Sequence, residues 1–156
     1  MGLAFGWKID KRIGQIKAFE AIMAQLGFQM GFLSVPFGEA LLKASASQRG
    51  AVRGLMESTA GIMNNQPDIS AGEAFEGALR HGKDGIYMSN RELDIIREFM
   101  VQAGKADLQR TMDGIKVTSA KLKLAREENE SRRSQDGKMY KGLGFMTGIF
   151  IVVLLI

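Results

Sequence analysis

The last fifteen residues, Gly142 to Ile156, carry no charge, and from Ile149 onward every one is a large aliphatic or aromatic residue. A helix without a polar face cannot lie on a protein surface; it belongs in a core or in a bilayer. Fifteen residues give a helix of roughly 22 Å against a hydrocarbon core of about 30 Å. Tyr140 at the interface and a snorkelling Lys141 add about one turn to that reach. We therefore expect a C-terminal transmembrane helix over 140–156. Its anchor is Gly142, Phe145, Ile149, Phe150, Ile151, Val152, Val153, Leu154, Leu155 and Ile156, and its orienting charges are Lys138 and Lys141. With the chain ending at Ile156, nothing substantial is expected on the far side of the bilayer.

Charge points the same way. Residues 1–115 hold 13 basic and 13 acidic residues, so the net charge of +4 comes from Lys116 to Lys141, which holds eight basic and four acidic residues. Juxtamembrane Lys and Arg are drawn to anionic headgroups at about 1 kcal/mol each. The same stretch has no interleaved aromatics and carries four acids, so no nucleic-acid partner is expected. At the other end, Met1 to Trp7 is apolar and is followed by Lys8, Lys11, Arg12 and Lys17. Seven residues are too few to span, and the order is wrong for a signal peptide. The segment reads as an interfacial foot with Trp7 among headgroups, or as the remnant of an N-terminal transmembrane helix. Basic residues flank both apolar ends on their inner sides, which puts the body at 8–139 in the cytoplasm.

That body reads as helices. Ile9, Ile13, Ile16, Phe19, Met23, Leu26 and Met30 step by threes and fours along one face of a first helix ending near Gly31. Pro36 suits the first turn of a short second helix, Phe37 to about Ala46, with Phe37, Ala40, Leu41 and Ala44 inward. A third is expected from about Ser47 to Asn64 with Val52, Leu55, Met56, Ile62 and Met63 apolar. Ser70–Glu73 and Ser89–Glu92 have capping-box spacing and open helices four and five. Gly104 stands where a left-handed C-cap is wanted. From Asp107 a long helix carries Leu108, Met112, Ile115 and Leu122 and runs toward the apolar tail. The expected fold is all-α, a bundle of five or six helices with a C-terminal transmembrane helix.

The segments starting at Gly38 and Gly72 share Gly-Glu-Ala at a spacing of 34 residues, a period known from helical repeats, but a stable solenoid needs at least three copies and no third appears. We read them as two short helices whose small residues allow close packing.

Chemistry is sparse. The chain has no cysteine, which excludes disulfides, thiolate zinc sites and cysteine nucleophiles. His81, the single histidine, lies in a turn-like stretch with Asp84, and nothing nucleophilic is placed beside it. Glu127, Glu128 and Glu130 are interleaved with arginines, as on a solvated, ion-paired helix. No cofactor, metal site or enzyme activity is expected. The charged face formed by Arg126, Glu127, Glu130, Arg132 and Arg133 is the candidate partner surface.

Taken together, Pro36 to Leu41, Ile69 to Phe75, Glu92 to Phe99 leading to Gly104-Lys105-Ala106-Asp107, and Lys138 to Gly144 ahead of the apolar tail resemble the stage III sporulation protein AB family over essentially the whole chain. The resemblance implies a scaffold in the mother-cell membrane around the forespore, within a secretion-like complex often described as a feeding channel. It implies a soluble part similar to the inner-membrane platform protein F of type II secretion, docking a cytoplasmic secretion-type ATPase and other stage III sporulation membrane proteins. Two departures stand out: only seven apolar residues precede Lys8, and Gln25, Gly27 and Gln29 occupy positions where acidic residues are expected. The competing reading is a soluble helical interaction adaptor whose apolar tail packs on itself or on a partner.

Overall fold

The computed structural model describes the backbone of residues 2–105 and 107–155 and the side chains of residues 6–105 and 107–133. Within those limits the chain is all-α: α1 (Gly2–Gly31), α2 (Phe37–Ala46), α3 (Gly50–Asn65), α4 (Ala71–Gly82), α5 (Asn90–Ala103) and α6 (Leu108–Leu155). Each helix packs on its sequence neighbours, and α6 returns to pack along α1, closing the ring. Short connections favour this arrangement because they make sequential helices antiparallel neighbours.

The first helix behaves as its spacing demands. Its whole predicted stripe, Ile9 to Met30, is buried, and Phe19, Met23 and Leu26 are completely inaccessible. Burying each such side chain contributes roughly 1.5–3 kcal/mol. Ala74, Phe75, Ala78 and Leu79 of α4 and Leu93, Ile96, Phe99 and Met100 of α5 complete the same core. In α3, Thr59 and Ala60 are buried, whereas Ile62 and Met63 are only half-buried. Thr59 is accommodated by donating its hydroxyl to the Leu55 carbonyl at 2.9 Å.

Several local expectations are corrected. Ser47 does not open α3; its hydroxyl donates back to the Ala44 carbonyl at 2.7 Å and so serves the end of α2. Helix α3 begins at Gly50, whose φ of 77° suits a residue without a Cβ. Pro36 is the N-cap of α2, one position earlier than expected. Ser70 and Ser89 both accept the N–H three residues on. Among the described residues only Ser89 completes the box, its own N–H donating to Glu92 Oε1 at 3.0 Å. Gly104 has a right-handed φ of −76°, so it is no left-handed cap. It is small for another reason: a Cβ there would stand 3.3 Å from the Ala71 backbone nitrogen. Gly72 faces the same crossing, with Val101 Cγ2 at 3.0 Å from the position of its missing Cβ. The small residues of α4 thus do set its close approach to α5.

Helix α6 is one unbroken helix to Leu155. Of its expected inner face, Ile115 and Leu122 are buried and Met112 packs against the core, whereas Leu108 is half exposed. The buried positions are Thr111, Ile115, Thr118, Leu122 and Asn129, a stripe in which threonines and an asparagine alternate with apolar residues. Among the described residues no helix is long and apolar enough to cross a membrane. The expected transmembrane helix at 140–156 finds no support there, since it lies outside the residues whose side chains are described.

Candidate partner-docking surface

The charged face of α6 is placed by its antiparallel run along α1. Arg126 is about a quarter exposed and grips Glu20 of α1 through Nε at 2.6 Å and Nη2 at 3.3 Å. Its remaining arm reaches Glu130 at 3.3 Å, and Lys17 approaches Glu130 from α1 at 4.0 Å. Nearer the tail, Arg133 meets Asp10 at 2.8 Å. These charges set the register of α1 against α6. Chiefly through its hydrogen bond to Glu20, the Arg126 guanidinium is held above its ordinary pKa. Of the five predicted surface residues, Arg126, Glu130 and Arg133 are thus engaged within the chain, and Glu127 and Arg132 face solvent. Sequence spacing cannot distinguish these roles, because the partner charges lie more than a hundred residues away.

Deeper in the same end of the bundle, three helices converge on Glu92. One carboxylate oxygen accepts from Ser89 N–H, closing the cap of α5, and the other accepts from Asn129 Nδ2 of α6 at 3.0 Å. Arg12 of α1 stands 3.8 Å from Oε1 and donates to the Tyr87 carbonyl at 3.1 Å. Gln15 braces the same loop twice, donating to the Gly85 carbonyl at 2.5 Å and accepting from Tyr87 N–H at 2.8 Å. Trp7 packs edge-on against Tyr87 with ring centroids 5.2 Å apart, so it is half covered by the bundle itself. Glu92 was legible as a cap but not as a hub, since its second role depends on α6 arriving beside it.

A groove of about 580 Å³ runs between α5 and α6. Phe99, Gly114 and the half-exposed Val101 and Val117 form its apolar lining, with Lys105 and Arg110 at one end and the Lys121–Glu98 ion pair at the other. His81 and Asp84 lie elsewhere, both exposed, beside a shallow depression between α3 and α4. Among the described residues no group of three or more His, Asp or Glu side chains is gathered at metal-binding distance. Lys138, Lys141 and the anchor from Gly142 to Ile156 lie outside the residues whose side chains are described.

Comparison with known proteins agrees with this architecture. The chain is 23% identical over 145 residues to Stage III sporulation protein AB of Bacillus subtilis (strain 168), covering 93% of this chain and 84% of that protein. The fold matches a solved structure of Stage III sporulation protein AB with a TM-score of 0.71 at 18% identity, covering 80% of this chain and 98% of the other. The family model described as Stage III sporulation protein AB matches residues 1–156. A match along the full length of the chain, with the same helical fold, means that this protein belongs to the stage III sporulation protein AB family.

Proposed function

We propose that the protein is a membrane-anchored scaffold of the secretion-like complex between mother cell and forespore, working by docking partners and not by catalysis. One observation carries this reading. Because Asp10 meets Arg133, the start of α1 and the stretch of α6 beyond Arg133 leave the bundle at the same end. The backbone of the apolar segment Gly2 to Trp7 and that of the uncharged run Gly142 to Leu155 therefore lie toward one side of the molecule, as a body resting on one membrane requires. The basic residues from Lys116 to Lys141 favour the cytoplasmic leaflet of the mother-cell membrane around the forespore. Docking of a secretion-type ATPase and of other stage III sporulation membrane proteins uses the solvent-facing charges of α6 and the groove beside α5.

The test is spore yield in the native host after deletion, complemented by the full chain or by a chain ending at Lys141, with both products checked for expression. Loss of spores after engulfment, restored by the full chain alone, is the expected result. Normal sporulation of the deletion strain overturns the function. Full rescue by the shortened chain overturns the anchor and favours the soluble adaptor.

A further inference from the structure

Folding sorts charge between the two ends of the bundle. The α2–α3 and α4–α5 turns lie together at the end where α1 begins, since a Cβ on Gly85 would stand 3.2 Å from Ala51 and Arg12 donates to the Tyr87 carbonyl. Lys8, Lys11, Arg49 and Lys83 are all exposed there, against Asp84 and an Asp10 already held by Arg133. At the opposite end the turns carry Asp68 and Asp107 against Lys105. Residues 1–115 are neutral in sum, so this polarity exists only in the folded chain. The cationic end also holds an aromatic pair. Trp7 is 50% exposed and packs edge-on against Tyr87, and Lys11 Nζ stands 5.7 Å over the indole.

We propose that this end of the bundle is a seat for an anionic bilayer surface, with the Trp7–Tyr87 pair among the headgroups and the α4–α5 turn as a contact separate from the apolar ends. The seat presupposes the membrane anchoring inferred above and adds what the body itself touches. Depth follows from register. The Asp10–Arg133 pair sets α1 against an antiparallel α6, so Trp7 stands level with about position 136. That is roughly 6 Å short of the span expected at 140–156. A headgroup layer is about 5–7 Å thick, so an aromatic pair at this height lies within it. Trp and Tyr favour that layer because each ring is apolar with a polar tip.

Tyr87 is kept at this height by its backbone, which Arg12 and Gln15 clamp to α1 from one side of that helix. Lys8 and Lys11 occupy the same side by helical spacing, so they flank the pair. The exposed cations complement lipid phosphates, each favouring the surface-bound state about fivefold. An acidic protein would satisfy the cations too, but it gives no reason for a Trp–Tyr pair at the level where both apolar segments leave the bundle.

Trp7 is the single tryptophan of the chain, so its emission reads this face in the full-length protein. The protein is reconstituted in vesicles of phosphatidylcholine with or without phosphatidylglycerol, floated, and quenched by phosphatidylcholine bearing a nitroxide on its headgroup. A Trp7→Phe, Tyr87→Trp chain moves the reporter to the turn and keeps an aromatic pair. A Trp7→Phe, Phe32→Trp chain puts it at the far end, where Phe32 is 82% exposed. In vesicles containing phosphatidylglycerol, quenching is expected at positions 7 and 87 and not at 32. Adding Arg49→Gln and Lys83→Gln to the position-87 chain lowers its ratio of docked to undocked body about 25-fold, with the helical melt unchanged. Quenching at position 87 that is indifferent to phosphatidylglycerol and to these two substitutions overturns the anionic preference. Floated protein quenched no more at 87 than at 32 overturns the seat, leaves the anchor intact and gives the cations to a protein partner. Protein that floats only with phosphatidylglycerol, comes off in high salt and is quenched at 7 and 87 overturns the anchor and supports the seat. Protein that floats with neither composition overturns both.

Discussion

The pair of long helices and the layer of short ones combine ion pairs and close backbone approach in different proportion. Between α1 and α6 three ion pairs lie beyond the core, Glu20 with Arg126, Asp10 with Arg133 and Lys17 with Glu130, with one close approach where Gly31 meets Met112. Between α4 and α5 a single ion pair, Arg97 with Glu76 at 2.6 Å, is joined by close approach at missing side chains, with Gly72 against Val101 and, just past α5, Gly104 against Ala71. Two long helices can slide by a turn without losing much apolar contact, so discrete charge pairs are needed to fix their register. Short helices have few residues to bury, and close backbone approach increases what each contributes. Glu92 joins the two systems, capping α5 while holding Asn129 of α6.

Four measurements sharpen that contrast. Phe75→Ala empties a completely buried position where α4 enters the core, and urea titration is expected to show a loss of about 3–5 kcal/mol. A loss below 1 kcal/mol would mean that the short-helix layer contributes little to cooperative stability. Glu92→Ala removes the cap of α5 and one of the two hydrogen bonds of the buried Asn129 Nδ2, the other going to the Ala125 carbonyl, at a cost of about 2–3 kcal/mol. Asn129→Ala added to it should cost little more, as a double-mutant cycle would reveal.

Glycine gives the third. Gly72→Ala must push against Val101 Cγ2 at 3.0 Å and is expected to cost roughly 1–3 kcal/mol. Gly54→Ala, where nothing lies within 4 Å of an added Cβ, should instead stabilise by roughly 0.5–1 kcal/mol. Equal effects at the two sites would remove close approach as the reason for Gly72. The smallest effect is expected at the ion pairs. Arg126→Gln should lower the melting temperature at low salt and do so less at high salt, because screening weakens exposed charge pairs. Its pH behaviour follows from the raised pKa, which is set first by Glu20 for Arg126 and first by Asp94 for Arg97. A cation with a raised folded pKa contributes fully below its ordinary value and loses that contribution only on passing above it. Between about pH 5 and 9 neither arginine therefore makes stability pH-dependent.

How much was legible from sequence differs along the chain. The stripe of α1, the faces of α4 and α5 and the cap at Ser89 were all readable, because each depends on residues within a turn or two of one another. The inner face of α6 was legible in its apolar residues Ile115 and Leu122 and not in its polar ones. Thr111, Thr118 and Asn129 look like surface residues, and they are buried because α1 and α5 cover them and Glu92 supplies a partner for Asn129. The partner surface was half legible: its charges were found, but which of them α1 had already engaged was not.

Local order therefore determined the helices, their sequence and most of their buried faces, through periodicity, capping hydroxyls and the uncharged tail. Tertiary structure alone decided which charged side chains are internal clasps, why Gly72 and Gly104 must be small, and which face of α1 is left uncovered. The physical reason is range. A helix is specified by hydrogen bonds three or four residues apart, whereas the environment of Arg126 or Gly104 is set by residues that only folding brings alongside.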